Sequence, residues 1–581
     1  MAADTGDRVT RKYQSFRGVD FRGEECSLNR SPDALNMWRN YKNLASIETR
    51  PALEHIYAYP KGVSAMKWHD GKLYFISNDG WLHAICEDGS LDYELISVGE
   101  IGKDAILFEF GGELYAKGSK SYCNVTKGEV VTPYIPTTSI GRNPSGGGKI
   151  HEDVNMLSDH RINTFLADGK SSEYHLDAED IDTDYPPKIE INGNPIIAIP
   201  HEVNYEKGVI TFLNEDGEPW FIDKPLTDGQ DNVKITFKKH VDGYQDKIIK
   251  CTIAQEFDNR VFLSGNPDYP SMVWHSSLSD PSYFSDLDYY EDGADGKPIR
   301  SMVSGNNGLW VFRDATDNSV LYHMPAFDDT YGKIYPSSHS SIAIGCVGRA
   351  INFNDDIVFF SQRGMEGAST DVTTEQFATH RSSLVDRKML VHPTYKDMIL
   401  SEWEGYLLVF MGNDVYLADS RAVLTNENHI EYEWYHWNFG RNNVSCAVVH
   451  DGVLYIGTNE GHIYSLTRNA GDGDEHLANT FTPIESYWTT PKDNFGAPNK
   501  LKTTNKKGCI VEALGDVEVS VKTDDDDAYE LIAANEGITD YFVSRIKRKK
   551  LKDIQLKFES KTSFSLEAVT IEAFIGSYIK R

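Results

Sequence analysis

Asp258-Asn-Arg-Val-Phe-Leu-Ser-Gly, Asn307-Gly-Leu-Trp-Val-Phe, Asp355-Asp-Ile-Val-Phe-Phe-Ser, Glu404-Gly-Tyr-Leu-Leu-Val-Phe and Asp451-Gly-Val-Leu-Tyr-Ile-Gly-Thr are five versions of one pattern. A pair of turn-forming residues leads into a short strand rich in aliphatic and aromatic side chains. The copies start 49, 48, 49 and 47 residues apart. Two earlier copies, Asp70-Gly-Lys-Leu-Tyr-Phe-Ile-Ser and Gly111-Gly-Glu-Leu-Tyr-Ala, are 41 residues apart. Such periods belong to four-stranded propeller blades, each burying its apolar faces against its neighbours. Second hairpins follow at Asn78-Asp-Gly-Trp-Leu-His-Ala-Ile, Asn413-Asp-Val-Tyr-Leu-Ala and Asn459-Glu-Gly-His-Ile-Tyr-Ser-Leu, while helical periodicity is scarce. The expectation is an all-β chain built on a β-propeller of six to eight blades.

The rhythm breaks in two places. Gly111 to Asp258 spans 147 residues, far more than one blade, and holds short alternating strands around Asn163, Lys188, Gly208 and Asn232. These predict a small β-sandwich inserted at 163–240, with its ends close together. After Leu466 a polar stretch, Asn469-Ala-Gly-Asp-Gly-Asp-Glu-His, precedes further strands in a C-terminal β domain, either separate or interlocked with the last blades. The expected organisation is an N-terminal arm and docking segment at 1–50, first blades at 51–162, the insert at 163–240, remaining blades at 241–470 and the C-terminal domain at 471–581.

Charge follows this organisation. The 581 residues carry a formal net charge of −30. Residues 480–581 hold 16 basic and 16 acidic groups, so the whole excess lies in residues 1–479. That argues against general gripping of nucleic acid by charge neutralisation, though not against DNA sliding past without sticking. Seven scattered cysteines without a CxxC pair read as reduced, mostly buried thiols. No apolar leader and no run of about 18 apolar residues is visible, which predicts a soluble protein made in a cytoplasm.

Motifs of reaction chemistry are missing. No HExxH, EF-hand loop or GxSxG elbow occurs, and no cofactor, metal or catalytic residue is assigned. Pro144-Ser-Gly-Gly-Gly-Lys-Ile lacks the Ser or Thr that a phosphate loop places after its lysine, and reads as a flexible or interface loop. Ser77-Asn-Asp-Gly-Trp misplaces the glycine of a sialidase Asp box. His436 and Trp437 read as aromatic packing, and the four aspartates at 524–527 as a solvated turn. The basic stretch Arg545-Ile-Lys-Arg-Lys-Lys-Leu-Lys is open to three readings: protection of a sheet edge, salt bridging to an acidic neighbouring subunit, or phosphate contact. Its candidate interface residues are Arg545, Lys547, Arg548, Lys549 and Lys550.

Several stretches resemble a known group. They are Phe16-Arg-Gly-Val-Asp, Arg30-Ser-Pro-Asp-Ala-Leu-Asn-Met-Trp, Tyr134-Ile-Pro-Thr-Thr-Ser-Ile-Gly-Arg-Asn-Pro-Ser-Gly-Gly-Gly and Asn259-Arg-Val-Phe-Leu-Ser-Gly-Asn-Pro-Asp-Tyr-Pro-Ser-Met-Val-Trp-His-Ser. Asp280-Pro-Ser-Tyr-Phe, Tyr487-Trp-Thr-Thr-Pro-Lys-Asp-Asn-Phe-Gly and Lys500-Leu-Lys-Thr complete the set. Together they resemble the bacteriophage packaged-DNA stabilization proteins, which are similar in plan to the tail nozzle, or tail tubular protein B, of short-tailed phages. The resemblance implies a non-enzymatic virion protein of the tail, assembled in the host bacterial cytoplasm. It implies a homo-hexameric ring that meets the portal and adaptor and other tail proteins and extends the DNA channel. Double-stranded DNA would pass through without sequence-specific binding, to be retained and later released. Within these motifs Ser31 is suited to cap a short helix begun by Pro32, with Asn36, Met37 and Trp38 docking in the following turn; these five, Arg142 and Asn143 are further candidate assembly residues. Competing expectations are a carbohydrate-binding or carbohydrate-cleaving propeller, suggested by the 10 Trp, 31 Tyr and many carboxylates, and a module whose insert serves adhesion or docking.

Overall fold

A computed structural model of the chain describes residues 7–41, 46–87, 93–196, 200–293, 295–305, 308–316, 319–323, 326–328, 332–339, 344–368, 379–426, 429–466, 473–477, 480–524 and 526–578. Asn307, residues 469–472 of the polar stretch and Asp525 lie outside them. Where it is described, the repeated turn pair closes a two-residue hairpin of the blade. Asp70 and Gly71 (φ 47° and 71°), Glu404 and Gly405 (56° and 80°) and Asp451 and Gly452 (49° and 79°) take positive φ at both central positions. Positive φ twice over matches the right-handed twist of the flanking strands, which is why Asp, Asn and Gly recur there.

The chain is all-β and contains a β-propeller whose described residues form seven four-stranded antiparallel sheets. In chain order these begin at Val63–His69, Ile106–Phe110, Ile253–Phe257, Ile299–Gly305, Cys346–Phe353, Ile399–Trp403 and Val444–His450. In the last sheet the fourth strand is Leu53–Ala58, paired antiparallel to His462–Leu466. The strand just after the arm therefore completes the final blade.

Contacts divide the chain into two units: residues 1–99, 305–323 and 337–581, and residues 100–304 with 324–336. In the second unit the insert is a six-stranded sheet facing a three-stranded one. Phe165, Ile189, Val233, Ile235 and Phe237 of the first share a buried core with Tyr174, Ile210 and Phe212 of the second. The larger sheet takes in Thr137–Arg142 and Lys149–Ile150, N-terminal of the expected 163–240 span, because Thr137–Arg142 pairs in parallel with His160–Phe165. A parallel partner joined by a long excursion leaves no hairpin signature in the sequence.

In the first unit the C-terminal region forms an eleven-stranded sheet around Lys500–Thr523 and Phe564–Tyr578. Four of its strands come from the first fifty residues: Asp7–Gln14 and Ile47–Thr49 pair with Phe564–Tyr578, Ala34–Leu35 pairs with Ser486–Thr489, and Met37–Trp38 pairs with Ile47–Thr49. The interlocking partner of the C-terminal strands is thus the arm itself. The short helix expected at Ser31 does not form. Ser31 sits in a bridge to Val19, and its Oγ is taken up by the Thr489 main chain.

Candidate functional site

The motif residues at the two ends of the chain meet in one buried joint. Ser31 Oγ donates to Thr489 O at 2.7 Å and accepts from Thr489 N at 3.3 Å. The Phe16 ring meets Trp488 edge-on at 5.6 Å. Asn36 is held at φ 56°, a left-handed conformation that asparagine tolerates. Its Nδ2 donates to Glu485 O at 2.8 Å, and its Oδ1 accepts from Arg50 Nε at 3.0 Å and Asn438 N at 2.8 Å. Met37 and Trp38 are buried, with Trp38 stacked on Trp403 at 5.7 Å and edge-on to Trp437 at 5.5 Å. Pro32 is half-buried. These five residues make an interface within the chain: the arm is bolted to the sixth blade and the C-terminal sheet. Trp437 and His436 take the expected aromatic roles, His436 stacking on Tyr416 at 4.7 Å.

A second joint gathers the middle motifs in the other unit. Asn155 Nδ2 donates to Tyr134 O (2.8 Å) and Ser282 O (2.9 Å), while its Oδ1 accepts from Phe284 N at 3.0 Å. Tyr134 and Tyr283 pack with centroids 5.1 Å apart. Arg142 is buried; it donates to His175 O at 2.9 Å and Ser139 Oγ at 3.1 Å and lies over the Phe165 ring. Burial pulls its pKa below the usual guanidinium value. Asn143 is exposed, and its carbonyl accepts from Gly146 N at 2.8 Å, closing the glycine loop as a tight turn. Ile150 at the end of that loop is 87% exposed, and no phosphate-loop geometry forms.

The remaining candidates lie along the strand Lys500–Thr523. Near its start it pairs with Lys549–Leu551, and Arg545, Lys547, Lys549 and Lys550 are exposed and make no ion pair among the described residues. Arg548 is half-buried and pairs with Glu530 at 2.6 Å. Toward the strand's far end, where it pairs with Glu530–Ile538, a groove of about 460 Å³ opens. It is lined by five carboxylates (Glu485, Asp516, Glu518, Glu536 and Glu559) against two ammonium groups, Lys557 and Lys561. Glu559 is satisfied by Lys557 at 2.5 Å, and Asp516 accepts from Gly537 N and Thr562 Oγ1. Glu485, Glu518 and Glu536 are exposed without an ion pair among the described residues. Sequence reading missed the groove, because its acids come from four separated strands or turns. The alternation Asp516-Val-Glu-Val was the one local signal, marking a strand with an acidic outer face. The aspartates at 524 and 526 serve the turn as expected: Asp524 accepts from Lys552 N and Asp553 N, and Asp526 from Thr523.

Other titratable clusters are tied up structurally. Glu113, in a polar cleft of about 410 Å³ with Tyr115 and Asp280, accepts from Lys127, Asn124 and Tyr115. Those bonds hold its pKa below the ordinary carboxylate range, so it stays ionised and is unsuited to proton donation. Lys117 is fully buried, and its Nζ donates to Ile248 O, Ile249 O and Cys251 O at 3.2, 2.9 and 2.7 Å, satisfying the end of helix Tyr244–Ile249. Burial pulls its pKa down to about 8, which leaves it protonated at neutral pH. Lys117→Met is expected to cost about 2–3 kcal/mol by orphaning those carbonyls, read as a lower thermal midpoint. Among the described residues no group of His, Cys, Asp and Glu side chains is placed to hold a metal ion.

His380 lies between Asp386 (Nε2···Oδ2 2.5 Å) and Glu366 (Nδ1···Oε1 3.0 Å). Burial lowers its pKa, but the hydrogen bonds its ring N–H groups donate to the two carboxylates outweigh burial and push it up to about 10. A histidine whose pKa rises on folding contributes stability in full below its unfolded value near 6.5 and loses it as pH rises through the folded value. The thermal-midpoint advantage of the wild type over His380→Gln should therefore be greatest at pH 6 and shrink steadily towards pH 10. A constant difference would show that the imidazolium is not what the two carboxylates hold.

No protein-family model matches the chain, and no curated protein does. Solved structures similar to it include the computationally designed Ika8 protein: 11% identity over 72% of this chain and 99% of that one, TM-score 0.32. Another is a catalytically inactive virginiamycin B lyase from Staphylococcus aureus with quinupristin: 12% identity, 71% and 98% covered, TM-score 0.34. Likenesses this distant identify neither site nor activity.

Proposed function

We propose that the chain is a structural subunit of a bacteriophage tail, a nozzle or DNA-stabilization ring that extends the DNA channel and helps retain and then release the genome. The observation that carries this reading is where the family-like motifs fall. Phe16, Ser31, Asn36, Trp38, Trp488 and Thr489, drawn from opposite ends of the sequence, converge in a buried mechanical joint rather than around a reactive cleft. Tyr134, Ser282 and Tyr283 do the same in the second unit. Charge adds support: with the entire −30 in residues 1–479, a channel walled by the propeller would repel the DNA backbone within a Debye length of about 8–10 Å and let it slide. Light scattering on the purified protein and imaging of virions test the reading. A ring located in the tail is the expected result; a strictly monomeric protein absent from virions sinks it.

A carbohydrate-binding or carbohydrate-cleaving propeller is the second reading; the polar cleft of Glu113, Tyr115 and Asp280 has room for a sugar, with Glu113 as a hydrogen-bond acceptor and not as an acid. Release of reducing ends from host surface polysaccharide would support it, and no release across several polysaccharides removes it.

A further inference from the structure

Two charged features lie along the strand Lys500–Thr523. Lys502 is paired with Leu551 beside the basic segment, and Val517 with Asn535 beside the groove, fifteen residues further on. The strand curves strongly between them: Asp524, just past its far end, accepts from Lys552 N beside its start, and Arg548 reaches Glu530, whose strand walls the groove. The basic segment is pinned by pairing with Lys502 and Thr503, and none of its residues lines the groove of its own chain.

Their chemistry is reciprocal. The basic segment presents Arg545, Lys547, Lys549 and Lys550 unpaired, and the groove presents Glu485, Glu518 and Glu536 unpaired. The groove's 460 Å³ suits two or three long side chains. Asn535 lines it with a buried Nδ2 that has no acceptor, a donor that an entering main-chain carbonyl would satisfy. Nor is the basic segment a bare charge patch. Tyr541 and Val543 immediately before it are 59% and 46% exposed, and Ile510, directly across from Val543, is 37% exposed. Apolar side chains beside cations fit a protein surface better than a phosphate backbone.

We propose that the basic segment at 545–552 of one copy docks in the acidic groove of the next, a head-to-tail contact between copies of this chain. Used head to tail, the contact is heterologous and repetition closes a ring or, where the rotation does not close, grows a filament; the same patches used reciprocally by one pair would stop at a two-fold dimer, which would overturn the head-to-tail contact. The inference rests on the ring reading above and assigns the surfaces that would build it.

Charge exchange tests it. Lys547→Glu/Lys549→Glu/Lys550→Glu puts like charges against the groove, and Glu485→Lys/Glu518→Lys/Glu536→Lys puts them against the basic segment. Each variant alone should associate at least tenfold more weakly than wild type in sedimentation velocity, with circular dichroism and thermal midpoint unchanged. A 1:1 mixture should reassemble, since acidified segment then meets basified groove and native segment meets native groove, alternately. The milder Lys547→Gln/Lys549→Gln/Lys550→Gln should weaken association as well, should the reversal variant fail to fold. Variants that assemble like wild type, or a mixture that stays dissociated, overturn the contact while leaving the ring reading standing. Loss of duplex-DNA binding by the first variant with self-association intact assigns the segment to phosphate and also overturns it. A wild type monomeric at tens of micromolar in low salt overturns both.

Discussion

Replacing Arg50 with methionine is expected to cost about 3–5 kcal/mol of folding stability and to loosen the first fifty residues. Arg50 is 1% exposed, and its guanidinium grips Asp474 through two bonds, at 2.5 and 2.8 Å. The same group donates to Asn36 Oδ1, Pro51 O and Asn438 O and lies over the Phe439 ring. Asp474 in turn accepts from Leu53 N at the start of the strand that completes the seventh blade. Removing the cation leaves a buried carboxylate with one main-chain donor and two carbonyls with none, the situation in which breaking a buried pair costs most. The measurements are the urea midpoint and the rate of tryptic cleavage within residues 7–58. Adding Asp474→Asn should recover part of the loss, because the stranded charge is then gone. A loss below about 1 kcal/mol would show that the pair is not desolvated as described.

Gly18→Ala is expected to lose about 3 kcal/mol or more and to release the arm from the sixth blade. A Cβ at Gly18 would stand 1.9 Å from Trp434 O and 2.8 Å from Trp434 C and N, all main-chain atoms in the middle of the strand His429–Asn438. No rotamer relieves that approach. The arm must retreat, breaking the Val19 N to Trp434 O bond of 2.7 Å and drawing Arg17 and Arg30 away from Glu433. Glu433 is 1% exposed; burial holds its pKa up against the opposing pull of the two arginines, so their departure leaves a buried acid alone. Gly23→Ala is the control in the same arm, since nothing lies within 4 Å of its added carbon and the change should stay within about 0.5 kcal/mol. Equal effects at the two glycines would refute the close-approach account.

The blades were readable because their signal is local. Asp451-Gly and Glu404-Gly dictate a hairpin, and the apolar strand after each turn is buried, Tyr406–Met411 along its whole length and Val453–Thr458 at Leu454, Ile456, Gly457 and Thr458. What escaped was long-range. Leu53–Ala58 joins a sheet whose other strands begin near residue 444, and nothing in Leu-Glu-His-Ile-Tyr-Ala names that partner. Ser31-Pro-Asp has the composition of a helix start, yet Thr489 offered Ser31 two main-chain bonds and tertiary pairing overrode the local preference. The basic segment was visible as composition. Its acidic counterpart was not, because convergence of Glu485, Glu518 and Glu536 depends on sheet register alone.

The weave of the first and last strands also constrains the order in which the protein is made. Arg8 meets Glu572, and Thr49 Oγ1 donates to Phe564 O, so residues of the arm pair with residues made more than 500 positions later. At about 5–20 residues per second, the arm waits on the order of half a minute to two minutes for its partners. During that wait Met37, Trp38 and the strand Leu53–Ala58 have no completed blade to bury them. The seventh blade cannot close early either, since three of its four strands are synthesised almost 400 residues after the first. The sheet shared by the arm and Phe564–Tyr578 is therefore finished only once those late strands have been made.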